Sequence, residues 1–148
     1  MDYTVTVTLE PQEGFIDFLH QQIKEYNNQR SPQHKAAREE GAVKQINAIV
    51  LDADKLWIGG ITAEVYWNWL EINDFWLSEE LRGHGLGSSL LAQVEQLGRE
   101  NGAQKVLLTT FDFQAKTFYE RYDYKVVGVV EDYPPGVNYY TMVKLLEA

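Results

Sequence analysis

Arg82-Gly83-His84-Gly85-Leu86-Gly87-Ser88-Ser89 is the stretch on which the fold turns. It follows an apolar run, residues 70–77, and precedes Leu86, Leu90, Val94 and Leu97 at helical spacing. Glycines between a strand and an amphipathic helix let backbone N–H groups close on an anion at the helix N-terminus. A phosphate cradle is therefore expected here, against the plainer reading that the glycines only turn the chain. Two other nucleotide-binding spellings fail: a Walker A loop ends in Gly-Lys-Ser/Thr where this chain has Gly87-Ser88-Ser89, and a dinucleotide fingerprint needs glycine where Ser88 stands.

Outward from this turn, period-two apolar patterning predicts strands over residues 46–51, 56–67 and 70–77, joined by polar turns at 52–55 and 68–69. Beyond the helix, which Gly102 ends, follow a strand over 105–110, a short helix over 113–122 and strands over 124–130 and 139–145. Upstream, alternating Thr and Val predict a strand over 4–9. Phe15, Ile16, Leu19, Ile23 and Tyr26 predict an amphipathic helix over 12–28 with a buried stripe. Residues 33–40 read as a short exposed helix or a loop. The order is βα(α)βββαβαββ, a mixed α/β sheet with helices on its faces, with 1–148 read as a single domain.

Composition narrows the chemistry. The 148 residues are 45% hydrophobic and 24% charged, which fits an ordinary globule rather than disorder. No run reaches the roughly 18 apolar residues of a membrane span, and the N-terminus lacks a signal-peptide layout, so a cytoplasmic protein is expected. The absence of cysteine removes disulfides, thiolate ligands and a cysteine nucleophile. His20, His34 and His84 are scattered without metal-ligand spacing, so no metal is expected. A net charge of -9 opposes nucleic acid as a partner and favours cations such as amines.

Arg82, Gly85 and Gly87 match the Arg/Gln-x-x-Gly-x-Gly/Ala pattern of the GCN5-related N-acetyltransferase (GNAT) family, and the chain resembles that family over residues 45–130. Gly59-Gly60 and Ala115-Lys116-Thr117-Phe118-Tyr119-Glu120-Arg121 extend the resemblance. It implies the GNAT-like acyl-CoA N-acyltransferase fold and an acetyl-CoA-dependent N-acetyltransferase. The acetyl group would pass to a primary amine, small-molecule or protein, by direct attack in a ternary complex.

The resemblance also implies the site. Arg82, Gly83, His84, Gly85, Leu86, Gly87, Ser88 and Ser89 would bind the coenzyme A pyrophosphate, with Phe118 and Asp112 also on the cofactor. A backbone N–H near Trp76 and Leu77 would hold the thioester carbonyl oxygen. Asp112 and Asp123-Tyr124 depart from the family's usual Asn and Gly-aromatic at those places. Tyr119 is the expected general acid and Glu71 the expected base, with Glu64 or a water chain as rivals and Asp74 on the opposite strand face. Trp57, Trp67, Trp69 and Trp76 are candidates for an aromatic wall beside a cationic amine. A homodimer stays open, and a non-catalytic acyl-CoA-binding regulatory module is the alternative.

Overall fold

The computed structural model of the chain describes residues 1–146. They form two compact units, residues 1–38 and the remainder from Glu39 onward.

The first unit holds helices α1 (Phe15–Arg30) and α2 (Pro32–Ala37). α2 forms because Ser31 caps it, its hydroxyl accepting the His34 N–H at 3.2 Å, while Pro32 supplies a preset φ in the first turn. Two expectations need correction. Residues 4–9 are not a strand: β-branched alternation supplies only propensity, and a strand needs a neighbour's ladder, which this unit does not contain. The α1 stripe is not buried within its unit, which leaves Phe15 52% and Ile16 64% exposed.

The second unit is a six-stranded sheet of order β1-β2-β3-β4-β6-β5. Its strands are β1 (Lys44–Leu51), β2 (Trp57–Tyr66), β3 (Trp69–Leu77), β4 (Lys105–Phe111), β5 (Lys125–Val130) and β6 (Tyr139–Leu145). All neighbours are antiparallel except β3 and β4. The β1–β2 turn is set by Asp52, whose Oδ1 accepts from the N–H groups of Asp54 (2.8 Å) and Leu56 (2.9 Å). β2 and β3 are joined by Trp67-Asn68, both at positive φ (51° and 63°), the two-residue hairpin geometry that matches strand twist.

Helices α3 (Leu86–Glu100) and α4 (Lys116–Glu120) complete the unit, α4 being shorter than expected. The buried face of α3 runs through Leu90, Leu91, Val94, Glu95 and Gly98. Leu97, expected on that face, is 43% exposed, because Gly98 brings the helix down onto Leu70 instead. Leu90, Leu91 and Val94 join Leu70, Ile72, Val106, Leu108 and Met142 in the core. Inside it Glu95 accepts from the Tyr124 hydroxyl at 2.6 Å and from Lys144 Nζ at 2.8 Å. That network ties α3 to the chain after α4 and to β6.

Candidate active site

The site starts where two parallel strands part. β3 and β4 pair only at Trp69–Lys105, Leu70–Val106 and Glu71–Leu107, yet β3 runs on to Leu77 and β4 to Phe111. Asn73 is an extra residue in β3: Ala63 stands opposite Ile72, but Thr62 stands opposite Asp74. A bulge of this kind bends its strand and increases the local twist, which accounts for the parting. The gap is a cleft of about 990 Å³ lined by residues 72–77 of β3, the glycine turn, the end of β4 and α4.

At one side stands the glycine turn. Gly83 and Gly85 adopt φ of 79° and 83°, a left-handed conformation open to glycine at little cost. Gly85 caps α3 with no side chain over the helix end, so the first-turn N–H groups remain available to an anion. Gly87 has an ordinary φ, and a Cβ there would meet Phe75, Leu77 and Phe118 at 3.6–3.7 Å. Arg82 donates through Nε to the Leu77 carbonyl at 2.9 Å, fixing the turn to the end of β3. Arg82, Gly83, Gly85, Gly87, Ser88, Trp76, Leu77 and Phe118 all line the cleft, whereas His84, Leu86 and Ser89 do not.

Tyr119 lines the cleft from α4 and is only 6% exposed. Its ring packs against Phe75, Phe118 and Tyr124, with centroids 6.4, 5.4 and 5.4 Å away. Loss of hydration around this ring pushes the phenol up to about 12, so the proton stays on at neutral pH.

Glu71 sits at the apex, in the last paired position of β3 and β4, and accepts the Tyr66 hydroxyl. That hydrogen bond, then burial, then the charges of Glu71 and Glu64 push the Tyr66 phenol up to about 12. Glu71 is not among the residues lining the cleft. Glu64 lies opposite it on β2, 3.4 Å from Asn73 Nδ2.

Asp74 requires a correction. It shares a face with Glu71, because their partners Thr62 and Glu64 are two residues apart on one strand. The bulge at Asn73 adds the residue that reverses the parity, and no sequence feature announced it. Asp74 lines the cleft, and its Oδ2 accepts the Thr62 hydroxyl at 2.6 Å.

Asp112 is clasped to Asn138: its carboxylate accepts the Asn138 N–H at 2.9 Å and its own N–H donates to the Asn138 carbonyl at 3.0 Å. It does not line the cleft. Nor does a wall of tryptophans form there. Trp76 alone of the four borders the cleft, Trp57 is 83% exposed, and Trp69 is covered by Lys105 Nζ at 5.2 Å. Among the described residues no three His, Asp or Glu side chains gather as a metal site, and no helix is long and apolar enough to cross a membrane.

Residues 12–124 match the family model described as the acetyltransferase (GNAT) family. The chain is 40% identical over 89 residues to a blasticidin-S acetyltransferase of Streptomyces morookaense, which covers 60% of this chain and 65% of that protein. It is 27% identical over 85 residues to an acetyltransferase of Agrobacterium fabrum, covering 57% of this chain and 62% of that one. The chain thus spans a little under two thirds of these curated relatives. An acetyltransferase crystal structure from Bacillus cereus superposes with a TM-score of 0.81 at 27% identity, over 95% of this chain and 98% of that one.

Proposed function

Because the chain belongs to the acetyltransferase (GNAT) family, we propose that it transfers an acetyl group from acetyl-coenzyme A to a primary amine by direct attack. The observation that carries this reading is the cleft itself, which has a glycine turn at a helix N-terminus and a buried, protonated phenol in its walls. The relative named for blasticidin S favours a small-molecule acceptor over a protein amine.

The residues fit the coenzyme by their chemistry. Free N–H groups at the start of α3 suit the pyrophosphate, and Arg82 and Arg121 are the cations of the cleft wall. When bound, acetyl-coenzyme A supplies an activated thioester carbonyl. In the parted segment around Trp76 and Leu77, β3 has lost its β4 neighbour, and a main-chain N–H there would hold the carbonyl oxygen. The amine needs its lone pair, so its proton must leave; Glu71, at the apex and hydrogen-bonded to Tyr66, would take it through water since it stands off the cleft wall. The nitrogen–carbon bond forms as the carbon–sulfur bond breaks, and the electron pair leaves on sulfur.

Tyr119, on the cleft wall, would serve that sulfur as a donor. An ordinary thiol has a pKa near 8.5, so a phenol at about 12 would give up its proton fully only at a cost of roughly 5 kcal/mol. The phenol therefore stabilises the departing thiolate mainly by a charge-assisted hydrogen bond, and protonation comes late. Thiol release from acetyl-coenzyme A across a panel of amines tests the reading. Tight coenzyme binding with no thiol released for any amine would make the chain an acyl-coenzyme A sensor instead.

A further inference from the structure

Resting on that reading, we propose that Asp74 selects the acceptor: it anchors a second, permanently cationic group on the amine substrate, such as a guanidinium or a further ammonium. The cleft passes through the sheet where β3 and β4 part, and its two sides differ. Phe75 points to the side of α3 and α4, where it meets Phe118 and Tyr119 at centroid distances of 5.9 and 6.4 Å and lies against Gly87. Asp74, the preceding residue, points to the other side with Thr62 and Glu71. The glycine turn and phenol thus occupy one side, and the amine enters past Asp74 on the other.

Charge on the wall is divided in the same way. Asp74 is the one carboxylate among the described residues lining the cleft, where Arg82 and Arg121 are the cations. The Thr62 hydroxyl holds Oδ2 at 2.6 Å and leaves Oδ1 to receive a donor, so the carboxylate is oriented before the substrate arrives. The reacting nitrogen can pair with it only until its proton leaves, because the attacking amine is neutral. A charge that stays on Asp74 throughout the reaction must belong to another part of the substrate, and that is the group the proposal assigns to it. Glu71 does not compete for it, being occupied by Tyr66 and off the cleft wall.

Agmatine and n-pentylamine test this, since both offer a primary amine on an alkyl chain and only agmatine carries a guanidinium. The readout is the ratio of kcat/KM for agmatine over pentylamine, which cancels general damage to the enzyme. Asp74→Asn should lower that ratio by roughly 3- to 5-fold, through KM for agmatine, as expected for a charge pair at an exposed carboxylate. Thr62→Val should lower it by a smaller factor. An unchanged ratio in Asp74→Asn, or equal losses for both amines, would overturn the proposal. If the wild type releases no thiol with either amine, the wider amine panel judges the activity and Asp74 is judged by calorimetry of agmatine against coenzyme A-saturated protein. Binding that weakens roughly 3- to 5-fold in Asp74→Asn supports the anchor; no binding at millimolar agmatine, or equal affinity in the variant, overturns it.

Discussion

Tyr119 keeps its proton because water scarcely reaches it, and that decides how it acts. Tyr119→Phe removes one hydroxyl and leaves a ring that still packs on Phe75, Phe118 and Tyr124. We expect kcat to fall by about 10² or more with the coenzyme dissociation constant nearly unchanged, and a loss confined to affinity would remove the phenol from the chemistry. With the phenol near 12, any alkaline limb it causes lies above the usual assay range, so profiles of wild type and variant should run parallel between neutral pH and the onset of alkaline unfolding. Stability carries the signature instead. The unfolded phenol loses its proton near pH 10 while the folded one holds it to about 12, so the folded state binds more protons in that window and stability must fall as pH rises through it. Tyr66 adds a second contribution of the same sign. Melting temperature followed from pH 9 upward should drop less steeply in Tyr119→Phe; an equal slope would place the titrating group elsewhere.

At the scale of elements, glycines do two different jobs. A Cβ on Gly60 would stand 2.1 Å from the Ala48 carbonyl oxygen, so β1 and β2 can pair as they do only with no side chain there. Gly60→Ala should destabilise the fold by roughly 2–4 kcal/mol in denaturant titration, and a change near zero would mean that the strands separate freely. Gly85 has open space where its Cβ would be, but its φ of 83° is costly for a β-branched residue. Gly85→Val is expected to lose coenzyme A affinity while the rest of the sheet stays folded, measured by calorimetry beside circular dichroism. Gly87 has neither constraint, so Gly87→Ala should be milder than Gly85→Val, a ranking that sequence spacing alone does not supply.

In the molecule as a whole, the Glu95 network and the coenzyme both join elements distant in sequence. Glu95 is 4% exposed and pairs Lys144, so Glu95→Ala leaves a largely buried ammonium and a buried phenol without their acceptor. A loss of roughly 3 kcal/mol is expected, partly recovered in Glu95→Leu/Lys144→Met, where no charge is stranded. Failure of the double variant to recover any stability would show that the hydrogen bonds specify the packing. Acetyl-coenzyme A at a hundredfold excess over its dissociation constant should add about 2.7 kcal/mol and raise the melting temperature by several degrees. No shift at millimolar coenzyme would count against the glycine turn as its site.

The sequence by itself determined the strands from residue 46 onward, the glycine turn and the α4 motif, because each follows from patterns within a few residues: period two, period three to four, and glycine where φ must be positive. The spelling Arg82-x-x-Gly85-x-Gly87, with Gly59-Gly60 and the block from Ala115 to Arg121, carried the resemblance to the family. What it could not supply depended on partners. The 4–9 segment has strand composition but no ladder in its unit, and Leu97 is apolar yet outside the face that Gly98 sets against Leu70. Asp112 spends its carboxylate on Asn138, 26 residues away. Most of all, the bulge at Asn73 arises between two strands and reverses which side of β3 every later residue faces. Alternation counted along one strand places Asp74 away from Glu71; only the register with β2 turns it into the cleft, because a strand's parity is fixed by its neighbour rather than by its own sequence.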